Sequence, residues 1–288
     1  MLREAGRFDL GLGKERFADS LTARKIIDYV VKRQNDDGGY TFCQGAESNA
    51  QDTYYGLAIL EMLGSSFPHV EKTVTWLREL DLGSIYSHYY VVKALLLCGE
   101  TPDNRFEERV VSTIKSDRHF GNVEVYAEVS SEFTVTLFVL ELANMLNAKV
   151  DGDRVEKWLL ECRNEDYGFG AHGYSNIIST YYAVASLNLL KNDMTGLRET
   201  EGFVRECEKP FGGFTVIPRS LTSYIEYTYY GIMTLDILGE KCRFPSQTAD
   251  FILKCQMSNG GFARTDTGIS TFENTFHAVN ILKKFGVV

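Results

Sequence analysis

Two kinds of apolar pattern alternate along the chain. In residues 26–34, 74–80, 155–162 and 249–256, apolar positions recur every three or four residues with charged positions between them, which predicts amphipathic helices. Between these lie stretches such as QDTYYGLAILEML from Gln51, SHYYVVKALLLC from Ser87, STYYAVASLNLL from Ser179, EYTYYGIMTLDIL from Glu226 and ENTFHAVNIL from Glu273. These are apolar nearly all round, and a helix of that kind is buried on every side. The alternation therefore predicts helix pairs, each an outer amphipathic helix followed by an inner apolar one.

A glycine turn ending in an aromatic residue joins the members of a pair. It reads Gly38-Gly39-Tyr40, Gly168-Phe169, Gly212-Gly213-Phe214 and Gly260-Gly261-Phe262, with a degenerate copy at Phe120-Gly121. The aromatic positions 120, 169, 214 and 262 are 49, 45 and 48 residues apart. The 80 residues between Tyr40 and Phe120 leave room for one more unit, around Ile85. Six units account for nearly the whole chain, and a period of that length marks a repeat architecture. An open solenoid would expose the aromatic faces of the inner helices, an aggregation hazard that a ring removes. The expected fold is all-α, a closed (α/α)6 toroid of six helix-pair repeats in one domain over residues 1–288.

Composition narrows the partners more than the fold. A net charge of −9 argues against nucleic acid. The first residues, MLREAGRFDLGLGKERF, contain no apolar signal core, and no apolar run is long enough to span a membrane. The six cysteines form no CxxC pair, which predicts reduced thiols and a cytoplasmic protein. Cys162, Cys207 and Cys255 fall in one frame at the ends of outer helices and are expected to be packing residues. Gly11-LGK lacks the spacing of a phosphate loop, and Cys98-GET lacks the glutamine of a thioester.

The unusual feature is sixteen tyrosines and eighteen phenylalanines against two tryptophans. Four inner helices carry tyrosine pairs, Tyr54-Tyr55, Tyr89-Tyr90, Tyr181-Tyr182 and Tyr229-Tyr230. Adjacent helical residues are about 100° apart, so one member of each pair is expected to point straight at the centre. Around a ring they would form an aromatic collar in a hollow centre, suited to a polyprenyl chain or a carbocation. The N-termini of the inner helices would converge at one end, a positive field suited to diphosphate. Loops entering those helices carry Arg219, Arg264, His172 and His119. Carboxylates near the helix starts are Asp52, Glu132, Glu226 and Glu273, candidates for general acid or base work or for dipole-complementing positions.

Gln34-NDDGGY and Gln256-MSNGGF resemble the Q-x3-G-x-aromatic signature of protein prenyltransferase β subunits and triterpene cyclases. The segments YGFGAHGYSNIISTYYAVASL from Tyr167 and DDGGYTFCQGAESNAQDTYYGLAILEMLG from Asp36 are similar to whole units of that family. The resemblance covers units one, four, five and six, while units two and three have drifted. It implies an isoprenoid diphosphate as ligand, with Arg219 near the family's diphosphate-binding arginine. It also implies Mg²⁺ arriving with a diphosphate and a helical partner subunit. The family's zinc ligands, an Asp-x-Cys pair and a histidine, are matched here only by Glu226 and by Asn274, with Glu273 before it and His277 a turn later. A carboxylate and an amide make a poor zinc site, so no zinc is expected. The DxDD acid motif of the cyclases is missing as well.

Three functions remain. A prenyltransferase-like or terpenoid-processing protein would use Glu226 and Glu273 for chemistry, Arg219, Arg264 and His172 for diphosphate, and the tyrosine pairs for the chain. A binding toroid would hold an apolar ligand without turning it over. A carbohydrate-active (α/α)6 enzyme would use paired carboxylates, but Trp76 and Trp158 fall on outer helices, away from a sugar platform.

Overall fold

The computed structural model describes residues 21–102, 132–190 and 194–288. The apolar stretches are helices: α2 (Ala50–Met62), α4 (Ile85–Leu97), α5 (Glu132–Met145), α7 (Ile177–Leu190), α9 (Ile225–Ile237) and α11 (Phe272–Lys284). The amphipathic ones are α1 (Leu21–Val31), α3 (Val70–Glu79), α6 (Gly152–Glu161), α8 (Thr200–Cys207) and α10 (Pro245–Lys254). Several inner helices start at a polar cap. Asn49, Ser84 and Thr271 each accept from the backbone N–H three residues on, which satisfies a donor that the helix leaves open. The outer helices bury one stripe only, Ala23, Ile26 and Val30 in α1 and Val155, Trp158 and Leu159 in α6.

The glycine turn fastens each unit in two directions. Inward, the N–H of its aromatic residue donates to a threonine of the following inner helix, Tyr40 to Thr53, Phe169 to Thr180, Phe214 to Thr228 and Phe262 to Thr275, at 2.9–3.0 Å. Outward, it presses on the next outer helix. A Cβ on Gly38 would lie 2.5 Å from the backbone of Lys72 and Thr73 in α3, and Gly38 has a φ of +92°. Glycine alone meets both demands without strain. The signature glutamine adds a brace, since Gln34 Nε2 donates to the carbonyls of Gly38 and Pro68 and to Thr73 Oγ1. Arg163 and Glu208 hold that frame in other units, each in an ion pair, Arg163 with Glu199 and Glu208 with Arg205 and Arg243.

The inner helices pack in the order α2, α4, α5, α7, α9, α11, and α11 packs back on α2. The last turn then meets the first helix as the turns at Gly38 and Gly212 meet α3 and α10: a Cβ on Gly260 would collide with the carbonyl oxygen of Lys25. Lys283 Nζ donates to the carbonyl of Met62 at 2.6 Å. The toroid is closed and all-α. The turn expected at Phe120-Gly121, and His119, lie outside the described residues, so the third unit is represented by α5. Cys162, Cys207 and Cys255 end α6, α8 and α10 in one frame, all three as free thiols. Among the described residues no helix is long and apolar enough to cross a membrane.

Candidate functional site

The threonine that receives the turn also sets the register of the axis. The two residues after that position, which is Thr136 in α5 and His88 in α4, face the centre in every inner helix. The first of the two is Tyr54, Tyr89, Leu137, Tyr181, Tyr229 or Phe276. The second is Tyr55, Tyr90, Phe138, Tyr182, Tyr230 or His277. The six tyrosines expected at the site, Tyr54, Tyr55, Tyr181, Tyr182, Tyr229 and Tyr230, are thus brought together. One expectation is corrected: both members of each pair line the axis, because residues 100° apart on a helix can flank the centre line as well as straddle it.

A second correction concerns the hollow. The second set forms an unbroken aromatic ring, from Tyr55 through Tyr90, Phe138, Tyr182, Tyr230 and His277 back to Tyr55. Successive centroids lie 5.5–6.4 Å apart, within the range of favourable aromatic contact. Further rings stack, Tyr89 on Phe138 at 3.7 Å and Tyr229 on His277 at 4.2 Å. The space left is about 120 Å³, below the roughly 300–1,000 Å³ of a pocket for a drug-sized ligand. Twelve side chains, mostly aromatic, fill a centre that the backbone alone would leave open.

Hydroxyls make the closed axis polar at two places around this ring. Tyr55 and Tyr90 hydroxyls lie 3.3 Å apart, as do those of Tyr182 and Tyr230. Burial pushes these phenols well above their ordinary range, as it does Tyr89 and Tyr181, and lifts Tyr229 to about 12. All are neutral near pH 7. His277 is 2% exposed, its Nδ1 has no partner, and burial lowers it to about 3, so it is a neutral imidazole.

At the N-terminal mouth, Glu226 and Glu273 occupy the same frame of adjacent helices. Arg264 pairs with Glu226, donates to the Tyr227 hydroxyl at 2.9 Å and lies over the Tyr224 ring at 4.0 Å. Burial, then the Glu226 and Asp52 carboxylates, raise Glu273 to about 7 against the pull of Arg264 and Tyr55. Asp52 is buried and tied to Asn49 and to the Phe42 N–H, and burial raises it also. Glu226 and Arg264, expected to serve separately, are therefore partners. Arg219 is exposed and has no hydrogen bond or ion pair among the described residues. His172 is exposed on a turn at φ +56°. Neither lines the axial cavity, and nor do Arg264, Glu226 and Glu273, which stand beyond the collar toward the helix N-termini.

The zinc expected of the fold family does not fit the residues present. Glu226 is held by a guanidinium, and Asn274 offers an amide beside its cap Thr271, a donor set unsuited to zinc. Among the described residues no three His, Cys, Asp or Glu are arranged around a common metal position. Trp76 and Trp158 sit on the outer helices α3 and α6, and neither lines the cavity.

Sequence reading missed Lys93 of α4 and Glu141 of α5, which line the opposite end of the cavity as an ion pair at 3.0 Å. Tyr89 donates to Glu141 at 2.6 Å, and Lys93 to the Tyr89 oxygen at 2.8 Å. Burial works against the Lys93 ammonium, but Glu141 and Tyr54 together outweigh it and the net shift is upward. The available signal was the register: each charge lies four residues after the first axial position of its helix, one turn below the collar.

The sequence matches the model of the prenyltransferase alpha-alpha toroid domain over residues 12–84 and 107–286. No curated protein matches it. Among solved structures it is similar to Candida albicans protein geranylgeranyltransferase-I complexed with GGPP, with a TM-score of 0.73 and 15% identity over 91% of this chain and 90% of that one. It is also similar to the type II terpene cyclase MstE from Scytonema, with a TM-score of 0.62 and 12% identity over 93% of this chain and 98% of that one. A variant of that cyclase in complex with its product merosterolic acid A gives 0.59 and 12%, over 93% and 97%. Likeness at such identities is likeness of fold.

Proposed function

This chain belongs to the prenyltransferase alpha-alpha toroid family, and we propose that it binds an isoprenoid diphosphate, hydrocarbon on the axis and diphosphate at the N-terminal mouth. The observation that carries the reading is the tyrosine collar on the axis, which offers a ring of aromatic faces to a hydrocarbon chain. Converging helix N-termini and Arg264 favour an anion at the mouth, where Mg²⁺ arriving with the diphosphate would add to the positive field. A space of about 120 Å³ is on the scale of a cavity of roughly 150 Å³ that takes one benzene. A farnesyl or geranylgeranyl chain therefore enters only as collar rings swing aside.

Holding the ligand, rather than transferring it to a thiol through zinc, is the form of this function that the donor set favours. A second reading, acid-initiated conversion of a terpenoid, has one observation behind it: Glu273, raised to about 7, retains a proton near neutrality beside Tyr55. Calorimetric titration with farnesyl and geranylgeranyl diphosphate, with and without Mg²⁺, tests the proposal. Saturable binding weakened by Arg264→Ala supports it, and absence of binding by both lipids overturns it. Product analysis after incubation, with Glu273→Gln as comparison, separates conversion from holding.

A further inference from the structure

The pair Lys93–Glu141 has no part in the function proposed above. It lies seven residues further along its helices than the frame of Glu226 and Glu273, roughly 10 Å deeper along the axis at 1.5 Å per residue. Side-chain exposures are 24% for Lys93 and 29% for Glu141, so both are partly withdrawn from water. A partly buried ion pair is a weak source of stability, since apolar residues of similar volume often serve as well or better. At the end of an apolar cavity it also opposes a pure hydrocarbon, which would strip water from both charges and return no hydrogen bond.

One carboxylate oxygen of the pair is left free by the described residues. Glu141 Oε2 accepts from both Tyr89 and Lys93, whereas Oε1 accepts from none of the described residues. The phenol of Tyr54 faces the same two charges, and Lys93 lies over its ring at 5.1 Å. The open position is thus an acceptor, Glu141 Oε1, beside a phenol that can donate. A ligand carboxylate placed there would meet the charge of Glu141, and an ammonium that of Lys93. A neutral hydroxyl donates to Oε1, accepts from Tyr54 and meets neither repulsion.

Resting on the isoprenoid reading, we infer that the ligand of the axial site carries a hydroxyl at the end opposite its diphosphate, and that Glu141 and Lys93 select it. The test compares farnesyl diphosphate with the same compound bearing a terminal hydroxyl, by calorimetric titration. The wild-type protein should bind the hydroxylated compound about tenfold more tightly, the scale of one hydrogen bond to a charged group. Glu141→Gln should reduce that ratio, and the paired change Lys93→Met with Glu141→Leu should reverse it. Equal affinities in the wild type, or tighter binding of the unmodified chain, overturn this inference and leave the isoprenoid reading standing. Failure of both compounds to bind overturns the two together. The wild-type ratio decides the matter even where a variant does not fold.

Discussion

The hydroxyl of Tyr29 donates to the carbonyl of Ser270 at 3.1 Å, joining residues 241 positions apart. The Tyr29 ring also meets Phe272 edge-on at 5.5 Å, so the first outer helix is locked to the last inner one. Gly260 lies in the same seam with a φ of +96°. Gly260→Ala should lower the free energy of unfolding by about 1–3 kcal/mol for the backbone conformation, with a further loss from contact with Lys25. Urea denaturation should show a lower midpoint with an unchanged slope.

Collar closure sets up an opposition between stability and binding. Tyr182→Ala removes a ring that packs on Tyr230 and Phe138, and should cost about 3 kcal/mol or more, as large core truncations do. The same change should raise affinity for farnesyl diphosphate, because the chain no longer has to displace that ring. Parallel denaturation and titration check both, and weaker binding by a folded variant would refute the closed-collar account.

The Arg264–Glu226 pair keeps the cation of the mouth occupied. Glu226→Gln should free it and strengthen diphosphate binding several-fold, since a charge-assisted bond to the ligand replaces one within the protein. The gain should shrink as salt is added, because the site is partly exposed. Titration of inorganic diphosphate at two ionic strengths reads out both effects.

Glu273 predicts a pH dependence. Its carboxyl is raised from 4.5 to about 7 in the folded protein, so between those values the native state holds a proton that the unfolded chain has released. The contribution of this group is complete below pH 4.5 and is lost as pH rises through 7. Glu273→Gln, which mimics the protonated form, should flatten that part of the stability profile. Denaturation of both proteins from pH 4 to 8 shows whether the difference between them grows with pH.

His277 has a buried Nδ1 without a partner and stacks on Tyr229. His277→Phe keeps an aromatic residue in the ring and removes the unsatisfied group, so unfolding free energy should rise by about 1 kcal/mol. The native imidazole, lowered to about 3, contributes stability above pH 6.5 that is lost as pH falls toward 3. The Phe variant should therefore be less sensitive to acid across that window.

The repeat, the inner and outer layers and the closed ring were legible in the sequence because each is written locally. The period of apolar residues assigns faces, the glycine turn recurs at nearly constant spacing, and Thr53, Thr180, Thr228 and Thr275 stand at one offset before the axial residues. What the sequence could not supply was the meeting of distant side chains. Arg264 and Glu226 are 38 residues apart, and Lys93 and Glu141 are 48. The first pair forms where the loop before α11 lies against the start of α9, the Ile225 N–H donating to the Arg264 carbonyl. The second forms where the neighbouring inner helices α4 and α5 bring both charges to one depth. Arg219 matched a family position by order along the chain, yet its loop leaves it in solvent. The volume of the axis was equally beyond sequence, since it depends on how twelve side chains from six helices share one centre. Periodicity determined which residues face inward; packing in three dimensions decided that those residues close the space they surround.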